Sequence, residues 1–378
     1  MIKIGIRKNL FYPMMSMIFH FLTLIIFIII KIYLEYDKYL VLEVIMFLSE
    51  FLSGLILSIY QMFFLFQKKD EEQLKIMGIK LIYNKQSNIK PLDKGYKILF
   101  LIFVAAFFDF NQYTITEYLI KVENNSSSFY MDIHLRGLLT IFCAIYCYFL
   151  LNIGIGKHQK LSLLILFICI ISIISLDLIF LLQNTENFII KAHEIMSLFI
   201  SYFLNSYIEV IEKYLLEYDY VNPFKMLFFE GLFGLLLTLP FLIKEANYQM
   251  KYNGNIILLI ICLSFYFIFK CGRNTYRIST NKIFSPMTRT LTDCMPDPFL
   301  IIFFFFKNYH NNKEMEDIFF FVINLIVSII TVLCGCFYNE LFIIYCCNLE
   351  YETHHEISLR ATILDNSSEY TESEFDNN

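Results

Sequence analysis

The sequence predicts an all-α, polytopic membrane protein: ten transmembrane helices arranged as a five-plus-five inverted repeat. Three observations predict it. Of 378 residues, 57% are hydrophobic and only 17% are charged, with a mean hydropathy of +0.58; a soluble chain of this length would not carry so much apolar surface. Ten apolar segments each reach the roughly 20 residues that the hydrocarbon core of a bilayer requires. Two arginines, Arg136 and Arg289, stand near the start of the fourth and ninth segments, which are equivalent positions if the chain is two halves of five. An odd number of helices per half turns the second half over, so the repeat is an inverted one.

In order, the segments are 11–34, 41–66, 96–120, 130–151, 161–182, 192–212, 224–243, 255–272, 284–306 and 317–347. The first follows Lys3, Arg7 and Lys8 as a signal peptide would. Its apolar run is long, however, and no small-residue cleavage site comes before Lys31, so it reads as a helix that stays. Between the second and third lies 67–97, a lysine-rich loop with an acidic knot at Asp70-Glu71-Glu72. The seventh holds FFEGLFG, where small residues beside Glu230 let helices approach closely; Glu230 is expected at a helix–helix contact. After the eighth, Cys271–Lys282 reads as a basic, polar loop carrying Arg273, Arg277 and Lys282. Ser285-Pro286 signals the start of the ninth, a serine to cap free amides and a proline whose fixed φ suits the first turn. Pro296 and Pro298 interrupt that helix. The domain reading is a first repeat over 1–182, a second over 183–347, and an acidic tail over 348–378 with too little apolar surface to order itself.

Basic residues set the orientation, since Lys and Arg are retained on the cytosolic side. With a cytosolic N-terminus, 20 basic residues fall in cytosolic connections, among them Lys213, Lys270, Arg273, Arg277 and Lys282, against 8 on the other side. Both termini are therefore expected in the cytosol. Asn124 and Asn125 head overlapping glycosylation sequons in a loop on the opposite side. The cysteines, mostly inside apolar runs, have no zinc-like spacing and read as packing residues.

The two basic residues outside the connections are Arg136 and Arg289. Arginine suits a phosphate or carboxylate through two parallel hydrogen bonds, and unpaired at a helix centre it costs roughly 2.5–3.5 kcal/mol. Asp293 lies i+4 from Arg289 on the same face, and Asp132 is an i−4 partner for Arg136; a structural ion pair or a snorkelling arginine is the alternative to solute contact. The acidic set Glu50, Asp109, Asp177, Glu209, Glu230 and Glu340 supplies candidate proton-coupling sites, with structural pairing as the alternative. GxGxxG, GxxxxGK[ST], HExxH and GxSxG are all missing, so nothing argues for an enzyme, a cofactor or a metal site.

Several stretches carry a resemblance. EVIEKYLLEYDYVNPFKMLFFEGLFG over 209–234, FLSEFLSG, FFDF, RGLLTIF, SPMTRTLTD and the C-terminal YNELFIIYCC block resemble the F-type branch of solute carrier family 35, within the drug/metabolite transporter (EamA-like) superfamily. The resemblance covers roughly 40–361. It implies a ten-helix inverted repeat with a central cavity worked by alternating access, and substrates such as nucleotide sugars or other organic anions. By motif it places Arg136, Glu230, Arg289 and Asp293 near that cavity.

The expectation is thus a secondary transporter of a small anionic metabolite, with Arg289, Asp293, Arg136, Glu230 and Asp109 as substrate-binding residues. The alternative is a non-transporting scaffold or sensor that keeps the carrier fold and works through its loop and tail. Expected partners are a small-molecule solute and the lipid bilayer, with a homodimer left open and no nucleic acid. The expected location is Golgi, lysosomal or another endomembrane.

Overall fold

A computed structural model describes residues 2–4, 11–34, 36, 39–64, 95–122, 135–182, 188–246, 254–309 and 315–344. The 67–94 part of the expected loop, both sequons, Asp132 and the tail lie outside these residues. In chain order the helices are α1 (Phe11–Ile28), α2 (Tyr39–Phe64), α3 (Gly95–Val122), α4 (Gly137–Leu150), α5 (Lys157–Leu182) and α6 (Phe188–Glu217). Then follow α7 (Pro223–Ala246), α8 (Ile256–Ile283), α9 (Pro286–Cys294), α10 (Asp297–Tyr309) and α11 (Met315–Tyr338). Eight of the described helices are long and apolar enough to cross a membrane, and α4 is a shorter apolar one. The protein is an all-α, multi-pass membrane protein. A three-residue antiparallel pair, Ile2–Ile4 with Phe342–Ile344, joins the N-terminus to the segment after α11.

The ninth apolar segment is two short helices. Ser285 is the N-cap of α9, its side chain accepting from the Thr288 N–H at 3.2 Å, and Pro286 takes the first turn. The chain then breaks at Met295-Pro296, and α10 begins at Asp297. Proline has no N–H to continue the ladder, so the interruption sits where the sequence placed it.

Cys271–Lys282 is a correction. It is no loop: α8 continues without a break to Ile283. Its buried residues include Leu259, Cys262, Tyr266, Lys270, Asn274, Arg277 and Asn281, steps of three and four that lie along one face of a helix. Hydropathy misreads this half as a connection because the buried face is itself polar. Lys270, Arg277 and, on α6, Lys213 are thereby removed from the cytosolic connections. The Lys213 ammonium donates to the carbonyls of Asn281 and Phe284 at 3.1 and 2.7 Å, tying α6 to the end of α8.

Helices pack in a recurring set of partners: α2 on α7, α1 on α8, α3 on α6, α8 on α2, α3 on α7, α4 on α6, α1 on α9, α4 on α9 and α5 on α11. The α2–α7 contact is the tightest. A Cβ at Gly231 would stand 2.2 Å from the Phe51 nitrogen, and one at Gly54 2.4 Å from the Phe228 nitrogen. These glycines let two backbones touch, and they carry Glu230 to the interface, as FFEGLFG implied.

Candidate functional site

Polar residues recur at helical spacing on the inner faces of several helices, and the packing brings those faces together. On α2 the inward stripe is Glu43, Phe47, Glu50 and Gly54; on α6 it includes Glu209 and Glu212; on α8 it is Lys270, Asn274 and Arg277. A helix places residues three and four apart on one side, so each stripe faces a single direction. The result is a network of buried charge in the interior, where isolated ions are costly and must find partners.

Arg289 is at its centre. Its side chain is 2% exposed; its Nε lies 3.3 Å from Glu209 Oε1, and its Nη1 pairs with Glu212 Oε2. Glu212 also faces Arg277 at 3.5 Å, and Arg277 reaches Glu50 at 3.4 Å. The Asn281 amide donates to Glu212 Oε2 at 3.1 Å. The chain of contacts Glu209–Arg289–Glu212–Arg277–Glu50 therefore links α6, α9, α8 and α2. Beside it lies a cavity lined by Glu50, Asp109, Asn205, Glu212, Glu230, Arg277 and Arg289, with Phe47 and Ala106 among the apolar walls. Its volume is about 10 Å³, room for about one water molecule.

A second cluster sits one turn further along α9. Asp293 Oδ1 accepts from Arg273 at 3.1 Å and lies 4.0 Å from His20 Nε2 on α1. Arg136, at the entry to α4, pairs with Asp297 at the start of α10 and donates to the Asp293 carbonyl at 3.5 Å. Thr140 bonds Thr290 at 3.2 Å between the same two helices. This cluster holds the break in the ninth segment against α1, α4 and α8.

Of the five residues singled out from the sequence, Arg289, Glu230 and Asp109 come together at the cavity. Arg136 and Asp293 go to the second cluster. The i,i+4 pairing of Arg289 with Asp293 is a correction: the two side chains turn to different helices, Arg289 to α6 and Asp293 to α8, because carboxylates and a guanidinium on those neighbours approach more closely. Arg136 likewise takes a long-range partner, Asp297, 161 positions away. Glu340, at the end of α11 with a positive φ of 59°, lies 3.5 Å from His158 and belongs to neither cluster. The side chain of Asp177 lies outside the described residues.

Sequence reading did not single out His20, Glu212 or Asp297, and it assigned Lys270, Arg273 and Arg277 to a connection. For Lys270, Arg277 and Glu212 the signal is spacing: 270, 274, 277 and 281 continue the helical phase of 259, 262 and 266, and Glu212 follows Glu209 at i+3. Neither a protein-family model nor a curated protein matches the chain.

Proposed function

We propose that this chain is a secondary transporter that moves a small anionic metabolite, a nucleotide sugar or a related organic anion, across an endomembrane by alternating access. The observation that carries the reading is Arg289: a guanidinium buried to 2% exposure, on a broken helix, at a polar cavity between helices of both halves. A discontinuous helix beside a buried charged cavity is how helical carriers build solute sites.

The packing pattern supports the five-plus-five repeat. Count α1 to α5 as the first half, and α6, α7, α8, α9 with α10, and α11 as the second. Exchanging the halves then maps α1–α8 onto α3–α6, α2–α8 onto α3–α7 and α4–α6 onto α1–α9, while α2–α7, α4–α9 and α5–α11 map onto themselves. Phe47 and Glu50 of α2 and Glu230 of α7 line the cavity, so a contact that this exchange maps onto itself borders it, which suits a fixed site between two inverted halves. A cavity of about 10 Å³ is the closed phase of that cycle, so a metabolite enters only after the halves part.

The test is a thermal-shift screen of the purified chain against nucleotide sugars, nucleotides and organic acids, followed by proteoliposome uptake of whatever binds. A ligand that binds only the folded state raises its melting temperature. Arg289→Lys keeps the charge that Glu209 and Glu212 need but loses the two-pronged grip, and is expected to lose most of the uptake at an unchanged melting temperature. Wild-type uptake by that variant refutes the role of Arg289.

A further inference from the structure

The central cavity carries two more carboxylates than cations. Glu50, Asp109, Glu212 and Glu230 line it against Arg277 and Arg289. Adding the neighbouring Glu209 and Lys270 leaves the difference at two. The contacts identify the surplus pair: Glu50 rests on Arg277, Glu209 on Arg289 and Glu212 on both. Among the described residues Asp109 and Glu230 make no ion pair or hydrogen bond. Glu230 is 4% exposed, and its Oε1 is fully buried with no hydrogen-bond partner.

A buried carboxylate without a partner, facing others across a small cavity, costs several kcal/mol unless something positive joins it. Three classes of ligand supply a positive charge. No three acidic, histidine or cysteine side chains among the described residues converge as metal ligands, which disfavours a metal ion. An organic cation would need the halves to part first, whereas the surplus charge is already present around the closed cavity of about 10 Å³. A proton needs no volume and turns the partnerless carboxylate into a neutral acid.

We propose that Glu230 is a proton-binding site of the cavity and that its protonation is coupled to solute movement; the coupling rests on the transport reading above. The charged groups that line the cavity with Glu230 come from every element around it: Glu50 from α2, Asp109 from α3, Arg277 from α8, Glu212 from α6 and Arg289 from α9. Three of them repel its carboxylate, and both arginines are already shared among other acids. Uptake of one proton from one compartment removes one negative charge from the cavity, and release to the other compartment restores it, with no other bond changed. While Glu230 is neutral, Arg277 and Arg289 are freer to receive an anion, so proton and anion travel in the same direction.

The experiment uses the full chain in phosphatidylcholine–phosphatidylglycerol vesicles adsorbed on a solid-supported membrane. A pH jump across neutrality without any solute gives a transient charge displacement from proton binding. Glu230→Gln is expected to lose most of it, and Glu230→Asp, which keeps the acid, to retain it. A wild-type-sized transient in Glu230→Gln overturns the proposal. A second measurement needs no variant: infrared difference spectra of the wild type between acidic and basic buffer show a protonated-carboxyl band that titrates, and a flat spectrum there also overturns it. Neither readout involves solute, so they fail separately from the uptake assay on Arg289.

Discussion

Arg289 is held between Glu209 and Glu212, both with fully buried side chains, and this sets how it can be tested. Arg289→Ala leaves Glu209 buried without a cation and Glu212 with Arg277 alone. Breaking a buried pair from one side costs about 3–5 kcal/mol, so the alanine variant is expected to melt well below wild type. Arg289→Ala combined with Glu209→Gln and Glu212→Gln is expected to regain part of that loss, because neutral amides do not need the missing charge. Melting temperatures of the purified variants in detergent check both outcomes; equal melting of the single and triple variants would show that the carboxylates are not stabilised through Arg289. At this scale the sequence was legible in part. Arg289, Glu230 and Asp109 stand out as charges in apolar surroundings, but their partners come from other helices, so local spacing pointed to Asp293 where the fold supplies Glu209 and Glu212.

Among the helices, α2 and α7 depend most on the absence of side chains. A methyl group at Gly231 would meet backbone atoms of Phe51 at 2.2 and 2.7 Å, and backbone cannot swing aside as a side-chain tip can. Overpacking of this kind typically costs about 1–3 kcal/mol. Gly231→Ala is expected to lower the melting temperature and to widen the cavity wall that carries Glu230. Gly95, with nothing within 4 Å of its Cβ position, is the control, and Gly95→Ala is expected to leave the melting temperature near wild type. Helix α8 shows where hydropathy fails as a guide to elements. Its second half is polar because it faces a polar interior, and only the three-and-four spacing of Lys270, Asn274, Arg277 and Asn281 betrays a helix. The break between α9 and α10, by contrast, was legible in full, since proline acts through its own covalent geometry.

For the molecule as a whole, the strand pair Ile2–Ile4 with Phe342–Ile344 puts the N-terminus and the end of α11 on one face of the bundle. The orientation expected from basic residues rests on fewer of them, since Lys213, Lys270 and Arg277 are buried on helices. The expectation has a direct check. Asn124 and Asn125, on the opposite side, are expected to carry a glycan when the chain is made in microsomes. Asn124→Gln with Asn125→Gln is expected to abolish the glycosidase-sensitive gel shift, and an unglycosylated wild type would reverse the assigned orientation.

Membrane character, the positions of the apolar helices and the broken ninth segment follow from the chain alone, because each rests on the length, composition or covalent geometry of a contiguous stretch. Which charge meets which was decided only by the tertiary structure. Carboxylates on α2, α3, α6 and α7 gather around guanidinium groups from α8 and α9 because glycine contacts and helix packing bring distant polar stripes to one place, and the cost of burying ions then pairs Glu50, Glu209 and Glu212 with the two arginines. The surplus of two carboxylates at Asp109 and Glu230 is a property of that gathering, and it exists in no single segment of the sequence.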